Sequence, residues 1–330
     1  MSVARCRTIL VWLAVTSCGS TGPAQSVRQP SPEPAASHPA PPPIAARAPA
    51  PATATASNTP APPAPPATAE PRACGEFACL AFATPEAAFA HVLELSPRVL
   101  AIGEAHAQEG STGIHSSTRR FAEQLLPLLS GKAKHLVIEL LLANCKPKTV
   151  ERVAQTQAPV TQHQAKSNQN EFLTLGKYAQ RLGIEPQALA PDCTEYDRAV
   201  APGADGVARL LTLVARQTET SVEALLAAPD ANGELIVTYG GALHNDLLPR
   251  PGQESWSFGP KLALASHGRY VELDLIVPEF VKDTEAWRGM PWFRAFDREQ
   301  LTSETLLYRP APSSFALIFP KTETKPAQQR

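Results

Sequence analysis

Two segments of this 330-residue chain end in the pattern Gly-x-x-His, and each follows an apolar run. Arg98-Val99-Leu100-Ala101-Ile102 leads into Gly103-Glu104-Ala105-His106. Leu235-Ile236-Val237-Thr238-Tyr239 leads into Gly240-Gly241-Ala242-Leu243-His244. Between them, Glu139 interrupts the apolar stretch His135-Leu136-Val137-Ile138-Glu139-Leu140-Leu141-Leu142. Imidazoles and carboxylates move protons near neutral pH or hold a divalent cation, so Glu104, His106, Glu139 and His244 are the candidate catalytic residues. Glu139 stands out because a carboxylate in such a run is costly to bury without a partner. Glu104 has two readings: it orients or deprotonates a water, or it caps the turn that follows. The glycines are expected to let the backbone turn sharply and approach a ligand closely.

The elements that must position these groups read as alternating strands and helices. Strands are expected at 99–102, 135–142, 184–190, 234–239, 270–277 and 314–319, the last at an edge because Pro320 ends it. Helices are expected at 85–95, after Ser116 or Ser117, from Asn170 to Leu182, at 207–214 and at 222–226. The pattern predicts an α/β class: one domain with a mainly parallel sheet flanked by helices. Parallel strands deliver their carboxyl ends to one rim, where open α/β sheets place their ligand crevice. His106, Glu139 and His244 are therefore expected to converge there. His115, after a Gly-Ser-Thr-Gly loop, and Asp192, after the 184–190 strand, are secondary candidates. The aromatic region 278–309 reads as an irregular cover or lid.

Several site types are disfavoured. The chain has no Gly-x-Ser-x-Gly elbow, no His-Glu-x-x-His zinc helix, no phosphate-binding glycine loop and no Cys-x-x-Cys pair. Lys and Arg total 30 against 31 Asp and Glu, with no basic stripe, so nucleic acid is not an expected partner.

The two ends of the chain read differently from its middle. Arg5 and Arg7 precede the short apolar run Thr8–Val15, which is too short to span a bilayer, and Val15-Thr16-Ser17-Cys18 resembles a bacterial lipobox. Residues 1–17 are read as a lipoprotein signal peptide and Cys18 as the acylated residue. Residues 18–72 hold about half of the 34 prolines and are read as a disordered Pro/Ala-rich tether to a membrane, the outer membrane rather than the inner. The folded domain is placed at 73–320 and a disordered tail at 321–330. In an exported domain the remaining Cys74, Cys79, Cys145 and Cys193 suggest disulfides. Cys74–Cys79 would close a small loop, and Cys145–Cys193 would link the ends of two neighbouring strands.

The segments Val99–His106, Val137–Glu139 and Gly241–His244, in that order, resemble the ChaN/Tiki/TraB superfamily, related more remotely to erythromycin esterases. The resemblance spans about residues 98–250; the long polar stretch Ala107–Ile114 departs from the ChaN-like pattern. It implies one of two activities. As in Tiki-like metalloproteases, His106, Glu139 and His244 would hold a divalent metal of unknown identity, with Glu104 acting on a water in ester or peptide hydrolysis. As in ChaN-like uptake lipoproteins, the crevice would instead bind haem or iron without turnover. The expected occupants are thus a small molecule, a peptide or haem, and the expected anchor is a lipid in a membrane.

Overall fold

The computed structural model describes residues 69–74, 77–111, 113–141, 145–229, 233–297 and 303–322. The signal segment, Cys18 and the tail from 323 lie outside the described residues, as does the tether up to residue 68. Folded structure begins slightly earlier than composition suggests: strand β1 spans Glu70–Cys74 and so takes in the last residues assigned to the tether.

The chain is α/β, built on one nine-stranded sheet of order β1-β2-β8-β9-β7-β3-β6-β4-β5. Its central strands are β3 (Val99–Glu104), β6 (Leu235–Gly241), β7 (Tyr270–Ile276) and β4 (Ala133–Leu141). β3, β6 and β7 are buried along their whole length, which is why β3 and β6 read as unbroken apolar runs rather than alternating ones. β5 (Glu185–Leu189) closes one edge, where Pro186 costs no ladder bond. Among the described residues, five of the eight strand pairings are parallel. The antiparallel remainder comes from β1, β2 (Phe77–Phe82) and β8 (Thr305–Ala311), three strands the apolar pattern does not show.

One expectation is corrected by this order. β9 (Ser314–Ile318) is not an edge strand, because it lies between β8 and β7 and bonds to both. Pro320 falls after the last ladder residue and removes nothing from it. Two short helical stretches expected at 207–214 and 222–226 form a single helix, α6 (Gly206–Ala227); no breaker separates them.

The two faces of the sheet carry separate cores. On one, α1 (Pro85–Leu93), α2 (Ser117–Arg120) with the turns that continue it, and α4 (Asn168–Arg181) cover Leu100, Ile102, Ile138 and Tyr239. On the other, α6 and α7 (Gly259–Ala265) cover Val99, Ala101, Val137 and Ile236. α3 (Pro147–Thr161) and α5 (Cys193–Ala199) pack with α6 in a further cluster around Tyr196. The region 278–297 forms short helical turns, including α8 (Glu285–Arg288), that seat Trp287 and Trp292 against Ile276, Tyr308 and Ile318 as a cover.

Two disulfides are present, Cys74–Cys79 and Cys145–Cys193. The second joins the segments that follow β4 and β5, which are neighbours in the sheet, and closes a 48-residue separation. In the chain-entropy treatment a loop of that size is worth ~4 kcal/mol. It fastens the segment just beyond the strand that carries Glu139.

Candidate active site

β3 and β6 run parallel, with Glu104 paired to Gly241, so the two Gly-x-x-His segments leave the sheet side by side. His106 and Glu104 form a close pair: Nδ1 of the imidazole lies 2.7 Å from Glu104 Oε1. The Glu104 side chain is only 1% exposed. Its other oxygen accepts from Thr118 Oγ1 at 2.7 Å and from the Tyr239 hydroxyl at 2.5 Å. A buried carboxylate surrounded by three donors is held as an acceptor, which fixes His106 as the Nδ1–H tautomer with Nε2 free to take a proton. Burial works against a charged His106, yet the hydrogen bond to Glu104 and the charges of Glu104 and Glu139 outweigh it, so its pKa is raised. Burial and Glu104 push the Tyr239 phenol well above its ordinary value, so it remains a donor.

His244 is set by a different device. Its Nδ1 lies 2.7 Å from the carbonyl oxygen of Trp256, an atom that only accepts, so Nε2 again carries the lone pair. That Nε2 is 3.5 Å from Glu139 Oε1. Glu139 Oε2 accepts from the Gly241 N–H at 2.6 Å, which gives the carboxylate in the apolar run a backbone donor. The loop carrying His244 is pinned: its carbonyl accepts from Phe258 N and Ser257 Oγ, and the neighbouring Asn245 carbonyl accepts from the Tyr270 hydroxyl.

The two pairs meet at Gly241. A side chain there would touch His106 Nε2 at 3.4 Å and Glu139 Oε2 at 3.6 Å, so both groups flank one open spot on the rim. The glycines act through space rather than by turning. Gly103, Gly240 and Gly241 lie in regular strand, none with a positive φ. A Cβ at Gly240 would collide with Glu139 Oε2. The side chains of His106 and Glu139 stay partly open, at 18% and 19%, whereas His244 is 4% exposed. Phe172, 6.0 Å from the His106 ring between centroids, and the stacked pair Phe121–Tyr239 wall the site on the α2/α4 side.

The secondary candidates do not join this group. Asp192 caps α5, accepting from Glu195 N at 2.7 Å while Glu195 caps it in return. His115 precedes α2 with its carbonyl bonded to Arg120, and no described contact joins its ring to the Glu104–His106 pair. Thr118 and Tyr239 are the members that pattern reading misses. Tyr239, directly before the second glycine pair, was readable as a strand residue, but its link to Glu104 needs the β3–β6 register. Among the described residues no group of three His, Cys, Asp or Glu side chains is gathered as a metal-ligand set.

Comparison with known proteins adds little. No family model matches the chain, and no curated protein matches it. Among solved structures it is similar to the type III effector HopBA1, at 11% identity and a TM-score of 0.36, over 78% of this chain and 99% of that one. It is also similar to RRSP, a MARTX toxin effector domain from Vibrio vulnificus CMCP6, at 20% identity and a TM-score of 0.30, over 48% of this chain and 31% of that one. Likeness at this level carries no argument about activity.

Proposed function

We propose that the chain is a hydrolase of ester or peptide bonds whose base is His106. The observation that carries this reading is the buried hydrogen bond from His106 to Glu104, on a rim that also holds Glu139 and His244. A carboxylate almost wholly shielded from solvent and held by three donors has little structural reason to sit beside a partly open imidazole, whereas a general base needs that orientation. In the proposed step His106 Nε2 takes a proton from water while the water oxygen bonds to the substrate carbonyl carbon and the carbonyl π pair moves onto oxygen. The protonated His106 then gives that proton to the leaving group as the carbon–leaving-group bond breaks. Glu104 keeps the tautomer and stabilises the imidazolium. Glu139 and the His244 Nε2 face the same spot and orient the water.

The resemblance to the Tiki-like and erythromycin-esterase-like proteins supports hydrolysis, and the two disulfides support an exported protein, in line with a lipid anchor at Cys18. A metal-assisted version needs three ligands around one point; the proposed step runs through protein groups alone. The test is turnover of a panel of p-nitrophenyl esters and fluorogenic peptides by the purified chain, with and without EDTA. The reading expects turnover that survives EDTA and falls in His106→Ala and Glu139→Gln. Equal rates in wild type and both variants would overturn it, and loss on chelation would assign the chemistry to a metal.

A further inference from the structure

Glu139 stands on an interruption of its own strand. β4 pairs with β6 only as far as Ile138, opposite Tyr239. Toward β5 it pairs at Ile138 with Ala188 and next at Leu141 with Leu189, so Glu139 and Leu140 fall between two rungs that are consecutive on β5. Extra residues of this kind bulge a strand and re-aim its side chains. Here the Glu139 carboxylate lies across Gly240, where a Cβ would collide with it, and Oε2 reaches the Gly241 N–H at 2.6 Å. The aim of Glu139 therefore depends on what holds β4 past the bulge. Among the described residues only the rung between Leu141 and Leu189 does so by strand pairing.

The Cys145–Cys193 bridge closes over that rung. Cys145 follows Leu141 by four residues and Cys193 follows Leu189 by four, so rung and bridge form one small ring. The two ends of the bridge are unequal. Cys193 opens α5, which is seated by the buried Tyr196 and by the Asp192–Glu195 capping box. Glu195 also accepts from Arg216 at 2.7 Å and from Gln217 at 2.9 Å, which ties α5 to α6. Cys193 is thus the fixed anchor, and Cys145 is the end that carries β4. Cys193 is exposed and Cys145 half-buried, so the bridge lies at the molecular surface, and thiol–disulfide exchange needs such access.

We propose that Cys145–Cys193 is a redox latch for Glu139. Oxidised, it holds the bulge that aims the carboxylate at Gly241 and His244; reduced, it lets that end of β4 loosen and the carboxylate leave Gly241. In closing, the two thiols give up two protons and two electrons to an external disulfide, which becomes two thiols as the Sγ–Sγ bond forms. In opening, an external thiolate bonds to Cys193 Sγ while the Cys145 thiolate leaves and takes a proton. A second external thiol then displaces Cys193, and the external pair is left as a disulfide. A chain made reduced thus acquires its arranged site only in an oxidising compartment. The inference goes beyond the hydrolase reading and does not depend on it, because its test reads the placement of Glu139 and not turnover.

The test is NMR-detected amide hydrogen exchange of the purified full chain, before and after dithiothreitol and again after glutathione disulfide. Gly241 reports on Glu139, because its N–H donates to that carboxylate. Val237, in the same strand and paired on both sides before the bulge, reports on the sheet as a whole. Reduction should speed exchange at Gly241 about tenfold more than at Val237, the equivalent of one lost hydrogen bond, and reoxidation should restore it. Cys145→Ser/Cys193→Ser should behave as the reduced chain and ignore dithiothreitol. Cys74→Ser/Cys79→Ser, at the opposite edge of the sheet, should keep the full response. Should a serine variant fail to fold, the wild-type comparison decides. The proposal is overturned if Gly241 and Val237 speed up by the same factor, which would make the bridge a staple of the whole fold. It is also overturned if the bridge resists dithiothreitol in the folded chain, if Gly241 is unmoved by its reduction, or if the Gly241 response persists in Glu139→Ala.

Discussion

The two faces of β3 treat buried carboxylates in opposite ways. On one, Glu104 meets an imidazole, a threonine and a tyrosine, all donors, and its negative charge raises the pKa of His106. On the other, one residue earlier in register, Asp274 meets Asn245 and two further carboxylates, and it is the acid itself whose pKa rises to about 7. Burial alone, then, does not set protonation. On neighbouring strands, a carboxylate ringed by donors raises the imidazole beside it, whereas Asp274, buried and with Asp246 nearby, is itself raised.

The sharpest way to break the contrast is to remove the base. His106→Ala should lower hydrolysis by about 10²–10⁴-fold, the usual range for a general base, while circular dichroism and thermal unfolding show an intact fold. The ring is partly exposed, so its loss opens no large core cavity.

The acidic face should instead show itself in stability. A carboxyl whose folded pKa is raised binds its proton more tightly in the native state, so its contribution is present below about pH 4 and is lost as pH rises through about 7. Over that window the ionisation of Asp274 should cost up to ~4 kcal/mol, because every tenfold difference in proton affinity between the folded and unfolded chain is worth about 1.4 kcal/mol. Denaturant unfolding at pH 4 to 8 checks this: wild type should lose stability on going up, and Asp274→Asn should flatten the slope. A slope unchanged by the substitution would contradict the assignment.

Smaller effects sharpen the picture on the Glu104 side. Tyr239→Phe removes one donor from a buried carboxylate and should cost about 1.5–3 kcal/mol in unfolding free energy, the usual value for a hydrogen bond to a charged group. Thr118→Val should cost a similar or smaller amount. If both are neutral, Glu104 is less tightly held than its three donors indicate.

Much of this was legible in the residues. The buried strands β3, β4 and β6 announce themselves as apolar runs, and the repeated Gly-x-x-His segments place two histidines on one rim because parallel neighbours end together. The pairing Cys145–Cys193 followed from the same geometry. What was not legible depends on register and on the other face. Asp274 and Glu272 sit in Tyr270–Ile276, where alternating acids look like the solvent side of a strand, and the loop after β6, through Asn245 and Leu247, takes them up as buried groups. Likewise β8 and β1 carry Arg and Pro that hide them from a periodicity reading, and Asp192 looks like a crevice acid until α5 is seen to begin there.

The central claim is that Glu104 makes His106 a base, and it is tested most directly by NMR titration of the His106 imidazole in wild type and in Glu104→Gln. The account predicts a wild-type pKa above the ordinary value of about 6.5 and a clear downward shift in the variant, because burial then acts without its counterweight. A wild-type His106 that titrates below about 6.5, or one unmoved by the substitution, would contradict it.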